Sequence, residues 1–413
     1  MPVEVVFFNV GQGDCTFLWF YDKPGDTVGT HAVLIDCGSS QQVAPQNPFQ
    51  GKTGMVDRLD SRIADYMARL RNPDVLDCLI ITHPDKDHFN LLRHVLQDQQ
   101  SPPRLKYQIR AIKYGLTVDD YKEGGQSFVH DLIELWMTFV DRRGNRGVLA
   151  RPDCVTMPAS PEPLVTGTRG AELLMVGAAV GVDPRSRRKY PKNPKKGKKP
   201  PTPEERDEAK RREGEKEKIA NESSLVTVLQ GDPEGNGDRQ RVLLMADAVK
   251  LNEDYLGLGF AGGRLKRQSK LWLKLGHHGS RTSNTDEWLN YTTPDGLFVS
   301  TGVLVFSGGS GTFTDSNVNG RLLKTWKKVL QNNNIPPVNV SSGQQWGYVV
   351  HDDSNQNGEF IYAPTTMGLF SSMATPPVPG GTKARGNAAN WRGVDWHLRL
   401  DDPRPGSYEI WYE

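Results

Sequence analysis

Short apolar runs closed by glycine, proline or charged residues recur along the chain, the signature of buried strands more than of long helices. Val3 to Val10 reads as a strand, Gly11-Gln12-Gly13-Asp14 as a tight turn, and Cys15 to Tyr21 as the returning strand of a hairpin. His31 to Asp36 is a third strand, closed by Asp36-Cys37-Gly38, and Gln41 to Gly54 is a polar loop. Leu59, Ile63, Met67 and Leu70 then recur at helical spacing, which predicts a helix over Asp57 to Leu70. The β-branched run Val75 to Ile81 follows as a strand, and Asn90 to Gln97 as a short helix. Gln126 to Val140 carries Phe128, Leu132, Leu135, Trp136 and Phe139 on one side and predicts a longer helix. Later strands are expected at Leu173 to Val182, Ser224 to Gln230, Arg241 to Met245, Leu271 to Leu275, Leu297 to Val299, Val303 to Phe306 and from Gly347. Arg321 to Leu330 reads as an amphipathic helix. The order is strand-then-helix in two broad halves, without a repeat of fixed period.

One segment breaks the pattern. Asp183 to Lys218 holds 15 Lys or Arg against 8 Asp or Glu and six prolines, so it reads as an extended basic insertion. Such a run adds salt-sensitive, sequence-independent affinity for nucleic acid, or else only solvates a loop. Ala363 to Pro379 is linker-like, and the last residues, with Trp391, Trp396, Trp411 and Tyr412, suggest a small β appendage. This gives a main domain over residues 1–362, with the insertion at 183–218, and a linker plus appendage over 363–413.

The 413 residues, 42 glycines and 28 prolines suit a loop-rich α/β chain with a sizeable core. A net charge of +2 excludes nothing, because the positive charge is local. Cys15, Cys37, Cys78 and Cys154 are far apart, mostly within apolar runs, and read as reduced buried thiols rather than disulfides or zinc ligands. No apolar run approaches the ~20 residues that span a bilayer. The start of the chain lacks a signal-peptide pattern, so a soluble cytoplasmic protein is the default expectation.

The densest chemistry is Thr82-His83-Pro84-Asp85-Lys86-Asp87-His88, which follows the Val75 to Ile81 strand directly. Any one of its imidazoles or carboxylates could be an ordinary surface residue. Four within six positions at a strand end are hard to explain by packing, and imidazole with carboxylate suits zinc, manganese or iron. Asp247 closes another apolar strand, and Gly276-His277-His278-Gly279 closes a third, its glycines allowing close approach of a ligand. Strand C-terminal edges are where open α/β sheets place their sites. His130 lies within a helix and reads as an ordinary helix histidine.

Val10-Gly11-Gln12-Gly13-Asp14, Leu34-Ile35-Asp36-Cys37-Gly38, the His83 to His88 loop, Asn221 with Ser224-Leu225-Val226, Leu243 to Asp247, and Gly276 to Ser280 occur in this order. Together they resemble the metallo-β-lactamase superfamily, and within it the soluble hydrolase domain of ComEC-type competence proteins, over residues 3 to 350. The resemblance implies an αββα sandwich with two divalent ions, zinc first and manganese or magnesium as alternatives. It implies His83 and Asp85 on one ion, Asp87 and His88 on the other, Asp247 bridging both, and His278 as a further ligand. Asp87 and His277 would be catalytic, His277 through substrate or proton transfer, and Asp14 and Asp36 would orient the site. The sequence departs from the superfamily where Asp85 replaces a histidine and where no third histidine for the first ion stands between His88 and Asp247. Gly311 to Asp315 also replaces a glycine-histidine-proline loop.

The leading expectation is a metal-dependent phosphodiesterase acting on nucleic acid, DNA before RNA, with Lys195, Lys196, Lys198 and Lys199 of the insertion contacting phosphates. The rivals are a small-molecule hydrolase of a lactone, thioester or phosphoryl ester, and a non-catalytic scaffold with a degenerate site. No membrane role is expected, and protein partners are not indicated.

Overall fold

The computed structural model describes residues 2–180 and 211–299 except positions 9, 11–12, 24, 40–50, 99–103, 123–126, 156–159, 168–169, 212–217, 232–239, 262–269, 280–281 and 295. Beyond these it describes 347–351, 360–364, 369–371, 395–400 and 409–412. In chain order the first half runs β1 (Val3–Phe7), β2 (Thr16–Tyr21), β3 (Gly29–Ile35), α1 (Gly51–Ala68), β4 (Val75–Ile81), α2 (Lys86–Phe89), α3 (Leu92–Leu96), β5 (Gln108–Tyr114), α4 (Ser127–Glu134) and β6 (Asp153–Cys154). The second half runs β7 (Glu162–Thr166), β8 (Glu172–Gly177), β9 (Val226–Gln230), β10 (Gln240–Leu244), α5 (Lys250–Ala261), β11 (Lys270–Lys274), α6 (Asp286–Thr292) and β12 (Gly296–Val299). Then follow β13 (Gly347–His351), β14 (Phe360–Pro364), β15 (Leu369–Ser371), β16 (Trp396–Leu400) and β17 (Glu409–Tyr412).

Two sheets result, one ordered β17-β16-β1-β2-β3-β4-β5-β6 and the other β15-β12-β11-β10-β9-β8-β7, with β13-β14 as a separate pair. Residues of both sheets meet in one apolar layer, Val5, Leu18, Val33 and Cys78 against Leu173, Leu229, Val242 and Trp272. The outer face of the first sheet is covered by Leu59, Ile63 and Met67 of α1, Leu92 and Val95 of α3 and Leu132 of α4. The outer face of the second is covered by Leu256 of α5 and by Trp288 and Leu289 of α6. The expected αββα sandwich is therefore what the chain forms. Strand periodicity explains the uninterrupted apolar runs: in β10, Val242 and Leu244 enter the layer between the sheets while Leu243 faces the helices. Each such buried side chain is worth about 1.5–3 kcal/mol against exposure.

The hairpin of β1 and β2 forms as the sequence predicts, and the strands expected at Ser224 to Gln230 and Arg241 to Met245 form as the antiparallel pair β9–β10. Two expectations change. The residues expected as a C-terminal appendage extend the first sheet instead, because β16 pairs with β1 from Val3↔Leu400 to Phe7↔Trp396 and carries β17 on its far side. A buried carboxylate ties this junction: Glu4 accepts from the Tyr66 hydroxyl of α1, lies 3.1 Å from His397 Nδ1, and pairs with Arg399 at 3.1 Å. The helix expected over Gln126 to Val140 stops at Glu134, and a 3-10 turn at Trp136–Thr138 leaves Leu135 and Met137 exposed. Nearly all of the basic insertion, Val303 to Phe306, Gly311 to Asp315, Arg321 to Leu330 and most of the linker lie outside the described residues. Among the described residues no helix is long and apolar enough to cross a membrane.

Candidate metal centre

Three strands end at one place. β4 hands over to Thr82 and His83, β10 to Asp247, and β11 to the histidine pair, with β10 and β11 parallel and in register from Gln240↔Lys270. The loops after β1 and β3 then lock onto the loop after β4. Asp14 N–H donates to the Asp87 carbonyl at 3.0 Å, Cys37 N–H to the His88 carbonyl at 2.7 Å, and Leu91 N–H to the Cys37 carbonyl at 3.0 Å. Gly38 is required by this approach: a Cβ there would stand 2.4 Å from the Asp87 carbonyl carbon and 2.5 Å from the His88 nitrogen. Asp36, Ala246, His277 and His278 all adopt left-handed backbone, at φ of 55°, 49°, 47° and 51°. Non-glycine residues rarely do so without surroundings that over-determine them, and four cases at one site mark it as built rather than incidental.

The side chains converge. Asp247 lies at the middle, its Oδ1 3.2 Å from His88 Nε2 and 3.5 Å from His278 Nε2, its Oδ2 3.6 Å from His83 Nε2 and 4.0 Å from His277 Nε2. Asp85 Oδ2 lies 3.7 Å from His83 Nε2, and Asp87 Oδ2 3.3 Å from His278 Nε2. Ligand atoms close to within 4.8 Å of one another in three groups: His83 with His88 and Asp247, Asp87 with His88 and His278, and Asp14 with Asp36 and His88. The structure thus brings together every predicted ligand and both predicted orienting aspartates. Lys195, Lys196, Lys198 and Lys199 fall outside the described residues. His130 stands apart, facing its own neighbour Asp131 at 3.0 Å.

Hydrogen bonds assign the tautomers. Asp36 accepts from Thr82 N–H at 2.8 Å and from the Thr82 hydroxyl at 2.6 Å, and lies 2.8 Å from His88 Nδ1. A carboxylate only accepts, so His88 carries a proton on Nδ1, which leaves Nε2 as the nitrogen that would give its lone pair to a cation. The Thr82 hydroxyl, its proton given to Asp36, is left to accept from His83 Nδ1 at 3.0 Å, which fixes His83 the same way. Both Nε2 atoms and Asp247 Oδ1 are buried without a hydrogen-bond partner. Unsatisfied buried groups normally cost about 1–3 kcal/mol each. A cation among them satisfies all three, and a carboxylate or hydroxyl behind each imidazole is the usual outer support of metal-ligating histidine.

The carboxylates also favour protonated imidazoles: against burial, Asp247 and Asp36 raise His88 well above its usual range, so a cation at Nε2 would displace a proton. Burial opposes ionisation of Asp247, yet His278, His88 and His277 around it hold its carboxyl well below the usual range. Asp87 is likewise lowered against the effect of burial, by its contact with His278 and the charge of His88. Asp85 moves the other way, raised by burial with Asp87 and Asp247 adding to it. Burial opposes charge on His278 as well, but Asp247 and Asp87 push it up to about 9. His277 is lowered, mainly by burial. Anionic groups held this close together are a favourable environment for a divalent cation, whose charge then dominates the local balance.

The histidine pair is clamped from behind. Asn284 bridges Gly276, accepting from its N–H at 3.3 Å and donating to its carbonyl at 3.1 Å, and the Ser283 hydroxyl donates to the same carbonyl at 2.8 Å. Buried Glu253 of α5 accepts from the backbone of Asn284, and from Thr285 N–H at 3.0 Å and the Thr285 hydroxyl at 2.8 Å. Thr282 lies 2.7 Å from His277 Nδ1 and so aims the other ring nitrogen at Asp247. Two contributors escaped the sequence reading. Glu253 is one, sitting in a helix that reading did not mark. Lys274 is the other: its ammonium is buried and paired with both oxygens of Asp14, joining the loop edges of the two sheets. The available signal was a lysine closing the apolar run Leu271-Trp272-Leu273.

No family model matches the chain, and no curated protein matches it. Solved structures similar to it include unliganded yeast PDE1, at 12% identity and TM-score 0.36, over 81% of this chain and 95% of that one. A diphosphatase of the PhnP family is similar at 9% identity and TM-score 0.31, over 72% and 86% of the two chains. The class B3 di-zinc metallo-β-lactamase LRA-12 from an Alaskan soil metagenome is similar at 7% identity and TM-score 0.27, over 80% and 91%.

Proposed function

We propose that the chain is a metal-dependent hydrolase whose preferred substrate is a phosphodiester of nucleic acid. The observation that carries the metal reading is the set of buried, hydrogen-bond-free atoms His83 Nε2, His88 Nε2 and Asp247 Oδ1 facing one another, with both imidazole tautomers fixed from behind. The donor set fits two divalent ions: His83 and Asp85 on one, Asp87, His88 and His278 on the other, and Asp247 central to both. Ions bound there would lower the pKa of a water and offset charge developing on a phosphoryl group. The chain's own residues do the rest. Asp36 and Thr82 hold the imidazoles in the ligating tautomer. His277, lowered by burial, is neutral near pH 7 and placed 4.0 Å from Asp247, where it can take up or return a proton. Lys274 neutralises Asp14 behind the loop.

Nucleic acid is favoured by the resemblance to competence-type hydrolase domains and by the basic insertion, whose Lys195, Lys196, Lys198 and Lys199 would contact phosphates. The test is a substrate panel run with zinc and with manganese: bis(p-nitrophenyl) phosphate, plasmid DNA, single-stranded DNA, RNA, a lactone and a thioester. Cleavage of DNA and the small phosphodiester is expected. Turnover of the lactone or thioester with neither phosphodiester cleaved would transfer the site to small-molecule hydrolysis.

A further inference from the structure

Two buried oxygens just before β9, Asn221 Oδ1 and Ser224 Oγ, have no hydrogen-bond partner. Asn221 is 4% exposed and Ser224 fully buried. Orphans of this kind are few in folded chains, and each asks for a partner that is a water, an ion or a ligand. The place they occupy narrows the choice. Leu225 N–H, next in the chain, donates at 3.0 Å to the carbonyl of Thr82, the residue before His83. On the other side, the β9–β10 ladder ends at Thr227↔Leu244, and three residues beyond that pair stand Ser224 on one strand and Asp247 on the other. The segment therefore comes between the strand end that carries His83 and the one that carries Asp247, which hold the orphaned His83 Nε2 and Asp247 Oδ1.

A count of donors shows what is wanted there. One side of the centre has two imidazoles and a carboxylate in Asp87, His88 and His278, with Asp247 shared. The other has His83, Asp85 and the shared Asp247, with His277, given above to proton transfer, 4.0 Å from the Asp247 oxygen that faces His83. His88 also lies within reach of His83 and Asp247, but its one free nitrogen serves a single ion. A hard divalent ion takes about six donors, so places for oxygen remain. We propose that Asn221 and Ser224 join this side, their neutral side-chain oxygens serving the ion held by His83, Asp85 and Asp247. This rests on the metal reading above. It also gives the two sides different tastes: one imidazole among oxygens is a harder site, suited to manganese or magnesium, while the side with two imidazoles suits zinc.

The experiment is manganese titration of the metal-stripped full chain, followed by electron paramagnetic resonance of free Mn²⁺, for wild type, Asn221→Ala, Ser224→Ala and Asn221→Asp. Wild type should take up two ions. The alanine variants should weaken one ion by about tenfold or more, the range typical of supporting groups, and leave the other unchanged. Asn221→Asp should tighten the same ion, since cation sites strengthen with ligand charge. That gain decides the matter if circular dichroism shows the alanine variants unfolded. Two unaltered affinities in all folded variants would overturn the proposal, as would a wild type that binds one ion only. A wild type that binds no manganese or zinc would instead bring down the metal reading itself.

Discussion

Asp36→Asn is the sharpest perturbation of the centre that replaces none of its proposed ligands. Asparagine has the same shape and tolerates the left-handed backbone that Asp36 adopts at φ 55°, so the fold has no steric reason to change. The hydrogen bonding does change. One carboxylate oxygen accepts from Thr82 N–H, and the other faces both the Thr82 hydroxyl and His88 Nδ1. With the amide oxygen kept on Thr82 N–H, the amide NH₂ faces His88 Nδ1, and the imidazole must move its proton to Nε2 or lose the contact. Either outcome removes the Nε2 lone pair or the ring's anchor. Loss of an outer partner of this type costs about 10–100-fold in metal affinity, which is roughly 1.4–2.7 kcal/mol. Loss of a charge-assisted hydrogen bond costs folding about 1.5–3 kcal/mol. Competition for zinc against a chromogenic chelator measures the first and urea denaturation the second. Zinc affinity in Asp36→Asn equal to wild type would refute the tautomer argument, whatever happened to stability.

Other consequences are open to simpler checks. Gly38→Ala drives a Cβ into the backbone of Asp87 and His88 and should lose about 1–3 kcal/mol of stability together with metal, both read in a zinc-dependent thermal melt; a melt like wild type would show that the two loops can separate freely. Glu253→Gln places an NH₂ against backbone donors of Asn284 and Thr285 and should destabilise by about 1–3 kcal/mol. It should also broaden the Co²⁺ absorption bands of the centre, which a change confined to packing would leave alone. Deletion of residues 183–218 should weaken binding to long DNA and flatten its salt dependence while leaving bis(p-nitrophenyl) phosphate turnover near wild type. An unchanged salt slope would make the insertion a solvated loop.

Much of this was legible in the sequence, for identifiable reasons. Strands covered on both faces show as continuous apolar runs, so β1 to β4, β9, β10 and β11 announce themselves, and the polar residues closing β4, β10 and β11 announce the site. What stayed hidden depends on long-range order. Nothing local in Trp396 to Leu400 says that this strand seats beside β1, although Glu4 in an otherwise apolar strand was a hint that a cationic or hydrogen-bonding partner lay nearby. β5 was missed because Arg110 and Lys113 interrupt its apolar positions; the first pairs with Asp77 and the second with Asp153 and Glu162. Glu253 reads as any helix glutamate until the fold brings Asn284 and Thr285 to it. Asp36 was marked as a supporting residue, but its control of the His88 tautomer needed the geometry.

The central claim is that Asp247 holds two ions at once, and metal quantification by inductively coupled plasma mass spectrometry tests it most directly. Wild-type protein purified without added metal, then dialysed against zinc or manganese and desalted, should carry two ions per chain. Asp247→Ala, measured alongside with its fold checked by circular dichroism, should carry at most one, since its carboxylate faces His83 through Oδ2 and His88 and His278 through Oδ1. Two ions per chain in the variant, or none in folded wild-type protein, would contradict the account.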